Sequence, residues 1–238
     1  MIDNTIQETN PTAQAAPRRS SAARLRKERH ILESAERHFA QYGFEGASLD
    51  DIAQNAGISR HNLLYYFASK EALYQHILHD VLDQWLNGMH TMLASEDPAV
   101  ALRAYIRSKL QFSRKRPHGS KVFTREVMAG APRFGHELQM RVAPVLENHL
   151  CTFERWVQAG KIAPVNFTHL LFILWSVTQA YADQQAQFTL FLGRQELTAA
   201  DFEDAERLIY QLVIQGLSTD TTPSAPAAAV RAPAYAQV

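Results

Sequence analysis

The chain has 238 residues, carries 24 Lys+Arg against 24 Asp+Glu for a formal charge of zero, and is 46% apolar. Such a balance excludes a disordered or membrane-embedded chain, and the length allows one large or two small domains with a sizeable core. A single cysteine, Cys151, excludes an internal disulfide framework and a Cys-rich zinc site, which suits a reducing compartment and makes the cytoplasm the expected location. Neither secretion nor membrane spanning is expected, because no basic stretch leads into an apolar one at the N-terminus and the longest apolar run, Leu170 to Trp175, is six residues.

Zero charge argues against a nucleic-acid partner only if the cations are evenly spread. They are not. Residues 1–17 carry Asp3 and Glu8 only, residues 18–70 carry nine cations against six anions, and residues 71–238 carry fifteen against sixteen. Six of the nine cations (Arg18, Arg19, Arg24, Arg26, Lys27, Arg29) fall within twelve residues that hold Glu28 as their sole anion.

Residues 1–20 and the Ala/Pro-rich residues 218–238 read as disordered. Between them apolar residues recur at helical spacing and no period-two alternation persists, so the expected fold is all-α. The first helix presents Leu32, Ala35 and Phe39 on one face and is expected to end at Gly43. Ser48 offers an N-cap for a short helix from Leu49 to Ala56, with Asp50 and Asp51 complementing its dipole. Gly57 stops that helix, Ser59 caps the next (SRHNLLYYF), and Ser69 caps a long helix carrying Leu73, Ile77, Val81, Trp85 and Met89. Helices are further predicted over Pro98–Ser113, Lys121–Ala129, Gly135–Ala159 with a bend or break at Pro144, Phe167–Phe191 and Ala199–Gln215. In the last of these, Phe202, Ala205, Ile209 and Leu212 form the expected inward stripe.

Two short helices joined by a turn at Gly57 make a helix-turn-helix, whose second helix enters the major groove and offers its N-terminal side chains to base edges. Arg60, His61 and Asn62 occupy those positions, Tyr65 and Tyr66 supply hydroxyls for phosphates, and Ser48, Ser59 and Lys70 stand at helix starts where backbone contacts form. Leu63 and Phe67, four apart, are expected to pack inward. The architecture expected is therefore a three-helix DNA-binding domain over residues 21–70, joined by a long helix to a ligand-binding and dimerisation domain over residues 71–217.

The stretch from Ile31 to about Leu78, with its YGFEGAS turn, DIAQNAGIS helix and YYF followed by SKEAL, resembles the DNA-binding domain of TetR-family transcriptional regulators. His61 and Asn62 stand where the wider family usually carries Gly or Thr, so no operator sequence is carried over. The segments IRSKLQFSRKRP, EVMAGAP, WVQAGKIAPV and HLLFILWSVTQAYAD resemble a narrower group in that family, the pyrimidine-responsive regulators. That resemblance implies a homodimer, mainly a repressor, released from operator DNA by uracil or thymine and controlling pyrimidine catabolism and related nitrogen genes.

Uracil is a flat ring with N–H donors and C=O acceptors, which calls for an aromatic slot and a few complementary polar groups. Trp175, Thr178, Gln179 and Ala182 share a helix face at i, i+3, i+4 and i+7. Trp175 is the expected ring wall, Gln179 the amide partner, and Trp85 the opposite wall, with Thr178 and Asp183 as weaker candidates. From the residues alone, the same side chains suit a packed core or a subunit interface, the latter also open to Tyr181 and Asp183. A larger, greasier effector, as in regulators of efflux or catabolic genes, is the alternative, and a wide aromatic pocket would mark it. No catalytic constellation, cofactor motif or metal site is expected: His76, His79, Asp80 and Asp83 read as a solvated helix face, and Cys151 as a buried inert thiol.

Overall fold

The computed structural model describes residues 16–219, with side chains from residue 22. The two termini expected to be disordered fall outside those residues except at their inner edges, where the backbone is already helical at Ala16. Among the described residues there are ten α-helices and no strand: α1 (Ala16–Gly46), α2 (Leu49–Asn55), α3 (Arg60–Tyr66), α4 (Lys70–Leu93), α5 (Pro98–Lys115), α6 (Pro117–Met128), α7 (Gly135–Gln158), α8 (Phe167–Asp183), α9 (Gln185–Phe191) and α10 (Ala199–Gly216).

Local chemistry sets most of these boundaries. Gly43 breaks α1 with φ 72°, a left-handed conformation that glycine adopts without steric cost, and a single turn then carries the chain on to Gly46. The hydroxyls of Ser48, Ser59 and Ser69 accept from the backbone N–H groups of Asp50, Asn62 and Ala72 and so cap α2, α3 and α4. Gly57, with φ 68°, makes the turn between α2 and α3. Thr198 and Asp201 form a reciprocal capping box on α10.

Several expectations are corrected. Pro144 lies inside an α7 that runs on unbroken to Gln158. The single helix expected over Phe167–Phe191 is two, because Gln184 leaves helical geometry (φ −107°, ψ 21°). In α10 the stripe turns outward along its length: Phe202 and Ala205 are buried, Ile209 is half-buried, and Leu212 is 62% exposed beside an exposed Leu208. Tyr181 packs on Phe188 and Phe202. Cys151 is exposed, not buried.

The N-terminal unit folds around Ile31, Ala35, Phe39, Ile52, Leu63 and Phe67, and Leu63 and Phe67 point inward as their spacing predicts. Its connection to the rest is double. Helix α4 leaves it directly, and α6 packs along α1, where Arg116 donates to both Glu36 and Asp80 and so ties α1, α4 and the α5–α6 corner together. Tyr74 Oη on α4 donates to Glu126 Oε2 on α6 at 3.0 Å, a second tie between the same helices.

Candidate functional site

Two regions gather chemistry: the outer face of α2 and α3, and a cavity walled by α4, α5, α6, α7 and α8.

On the first, α3 projects Arg60, His61, Asn62 and Tyr65 into solvent while Leu63 anchors the helix beneath. Arg60 donates to Asp50 Oδ2 at 2.8 Å, with both side chains more than half exposed; such an exposed pair is weak and readily exchanged for a phosphate or base. Tyr65 is 73% exposed and meets the half-buried Tyr66 edge-on, with the Arg24 guanidinium 6.0 Å from both rings. Part of the basic segment on α1 therefore stands beside the recognition helix. Lys70 is placed differently from a free backbone-contacting cation: its ammonium donates to the carbonyls of Glu45 and Ala47 and lies 4.6 Å from the Phe44 ring centroid, stapling the start of α4 to the α1–α2 turn. The hydroxyls of Ser48 and Ser59 are engaged as caps.

The second region is a cavity of about 250 Å³. Trp85 and Trp175 both line it, joined by Gln179, Tyr105, Lys109, Phe123 and Thr124, and the exposed Val127 and Met128 carry its lining out to solvent. Trp85 lies edge-on to Phe112 and Phe123. Trp175 Nε1 donates to the hydroxyl of Tyr105 at 2.6 Å, which fixes the indole; burial of Tyr105 holds its pKa well above the ordinary tyrosine value. The Gln179 amide has no hydrogen-bond partner among the described residues. Trp175 and Gln179, which share a helix face, and Trp85, expected as the opposite wall, thus line one cavity.

Thr178 and Asp183 lie outside this lining. Thr178 is fully buried, its hydroxyl donates to the carbonyl of Leu174 and its own carbonyl accepts from Ser113, so it belongs to the α5–α8 contact. Asp183 accepts from Ser120 and Thr124 and ties the end of α8 to α6. The face shared by Trp175, Thr178, Gln179 and Ala182 is wide enough for α8 to touch two neighbours, and α5 takes half of it.

Spacing alone did not single out Lys109 and Tyr105. Lys109 is 3% exposed, and its ammonium lies 3.8 Å from the Trp85 ring centroid. Burial lowers its pKa to about 7, with the charge of Asp183 opposing that shift. The signal was present in the periodicity: Leu102, Tyr105, Ile106, Lys109 and Ser113 form one buried stripe of α5, and a lysine inside an apolar stripe is a positional anomaly. Arg107, Arg114, Lys115 and Arg116 nearby gave it the look of a solvated cation. Among the described residues, no group of three or more His, Cys, Asp or Glu side chains is placed to hold a metal ion, and no helix is long and apolar enough to cross a membrane.

Family models match both halves of the chain: bacterial regulatory proteins of the tetR family over residues 31–77, and the YcdC-like protein C-terminal region over residues 78–220. The chain belongs to the TetR family of DNA-binding transcriptional regulators, and neither the family nor its relatives are enzymes. It is 36% identical over 209 residues to the HTH-type transcriptional regulator RutR of Escherichia coli K12, covering 88% of this chain and 98% of that protein. Solved structures repeat the fold. A TetR family transcription regulator from Marinobacter aquaeolei VT8 matches with TM-score 0.54 and 23% identity over 82% of this chain and 97% of that one. A TetR-like transcriptional regulator from Rhodococcus sp. RHA1 matches with TM-score 0.58 and 22% identity over 80% and 94%.

Proposed function

We propose that this regulator is a cytoplasmic homodimeric repressor that leaves its operator when uracil or thymine enters the cavity, and that it controls pyrimidine catabolism and related nitrogen genes. The cavity carries this reading. Its volume of about 250 Å³ falls below the roughly 300–1,000 Å³ of pockets for drug-sized ligands, which disfavours a large greasy effector. Two indoles suit a flat ring, and the free Gln179 amide offers one acceptor and two donors to a ring edge that alternates C=O and N–H. The 36% identity to RutR supports the same choice.

On the DNA side, Arg60, His61 and Asn62 are the base-reading candidates, Tyr65 and Tyr66 the phosphate contacts, and Ser48, Ser59 and Lys70 position the helices that carry them. Dimerisation is assigned to the outer faces of α8 and α10, where Phe172, Ile173, Val177, Leu208 and Leu212 leave large apolar groups exposed.

Release follows from what the cavity touches. Its walls include α4, which continues from the DNA-binding unit through the main chain, and α6, whose start is tied to α1 of that unit by Arg116 and Glu36 and which is joined to α4 by Glu126 and Tyr74. A ligand that binds one arrangement of these helices more tightly shifts the population toward it and alters the separation of the two recognition helices, spoiling their match to half-sites one helical turn apart. Gel-shift titration of the operator complex with uracil, thymine and cytosine tests the assignment: release by uracil or thymine at micromolar to millimolar concentration is expected, and full operator retention at millimolar uracil and thymine overturns it.

A further inference from the structure

Donors around the cavity outnumber the acceptors that answer them. The Lys109 ammonium makes no hydrogen bond among the described residues; it lies 3.8 Å from the Trp85 ring centroid and feels the charge of Asp183. Trp85 Nε1 is buried without a partner. The Tyr105 oxygen accepts from Trp175, and its own hydrogen finds no acceptor among the described residues. Against these three, the lining supplies the Gln179 amide oxygen; the Thr124 hydroxyl is already donating to Asp183.

A protein gains nothing in stability from such an arrangement. Burying an ammonium with no hydrogen-bond acceptor is costly, and an apolar side chain of similar length would fill the position without that cost. Attraction to the indole face and to the negative charge of Asp183 offsets part of it. The remainder is recovered only when something in the cavity brings lone pairs to the nitrogen.

We propose that Lys109 is the specificity-determining residue of the cavity: its Nζ meets an exocyclic ring oxygen of an acceptor-rich planar heterocycle, and it rejects rings that bear an amino group there. The proposal rests on the pyrimidine reading given above and adds the residue that makes the choice. Uracil and thymine carry two carbonyl oxygens, whereas cytosine replaces one with an amino group, which would set donor against donor. An unpaired buried polar group is the strongest discriminator a binding site has, because the wrong ligand leaves it unsatisfied.

The test is calorimetric titration of the full-length protein and its Lys109→Met and Lys109→Gln variants with uracil and cytosine, with operator affinity measured alongside. Expected are a loss of uracil affinity on the order of 10- to 100-fold in Lys109→Met, a smaller loss in Lys109→Gln, a collapse of the uracil-over-cytosine preference, and unchanged operator affinity. Equal uracil affinity in wild type and Lys109→Met overturns the role of Lys109 and leaves the pyrimidine reading standing. No uracil binding by the wild type removes that reading, and this proposal with it. If neither variant folds, the wild type decides with the two mono-oxo pyrimidines, each lacking one of uracil's carbonyls: loss of affinity for either one supports the proposal, and uracil-like affinity for both overturns it.

Discussion

On the DNA-facing unit several polar groups already hold partners: Ser48 and Ser59 cap helices, Arg60 pairs with Asp50, and Lys70 staples a turn. Around the cavity the reverse holds, since Lys109 and Gln179 lack hydrogen bonds and the Trp85 indole N–H is orphaned. The first arrangement keeps a recognition surface rigid before its ligand arrives, and exposed pairs there cost little to exchange. The second keeps buried groups unsatisfied until a ligand of matching chemistry enters, so that binding energy is available to move helices. One region is built to be stable alone and the other to be completed.

The contrast can be broken or sharpened by substitution, and the largest effect is expected at the cavity. Gln179→Leu is expected to abolish the uracil response and leave operator affinity intact; equal loss of both would assign Gln179 to folding or dimer contact. Next comes the anchor beneath the recognition helix. Leu63 is fully buried, so Leu63→Ala is expected to cost about 2–5 kcal/mol, read as a fall in Tm together with loss of operator binding.

A third effect has the sign of an unsatisfied group. Burial places the folded pKa of Lys109 near 7, below its ordinary 10.5. Between those values the unfolded chain holds more protons than the folded one, so the Lys109 contribution makes stability rise with pH across that window, while below about pH 7 the full cost of the buried charge is present. Denaturation between pH 7 and pH 10 is expected to show a steeper rise for wild type than for Lys109→Met, and parallel profiles would mean that the ammonium is not destabilising.

Smaller effects belong to the DNA side. Arg60→Ala is expected to weaken operator binding by roughly 1–3 kcal/mol with altered sequence preference if the guanidinium reads a base; a uniform loss across sequences assigns it to phosphate. Ser59→Ala is expected to cost about 1 kcal/mol of stability through loss of the α3 cap.

The same contrast explains what the sequence made legible. Helix starts and stops around the recognition helix depend on residues a few positions apart, such as Ser59 with Asn62 or Gly57 between α2 and α3, and local rules reach them. Trp175 with Gln179 was readable because both lie on one helix face. Trp85 comes from α4 whereas Tyr105 and Lys109 come from α5, and nothing at short range says that these two helices converge with α8 on one cavity. Thr178 and Asp183 shared the expected helix and turned to other neighbours, α5 and α6, a choice made by packing. The break at Gln184 and the outward turn of Leu212 were hidden for the same reason, since both depend on which surfaces lie opposite.

The most direct test of the coupling between the two regions is fluorescence anisotropy of a labelled operator, selected by the protein from random-sequence DNA, titrated with uracil in the presence of wild type and of Gln179→Leu. Equal operator affinity for the two proteins, with release by uracil confined to the wild type, is the predicted result. Release from both, or from neither, would contradict a cavity that reads a pyrimidine and a recognition face that answers to it.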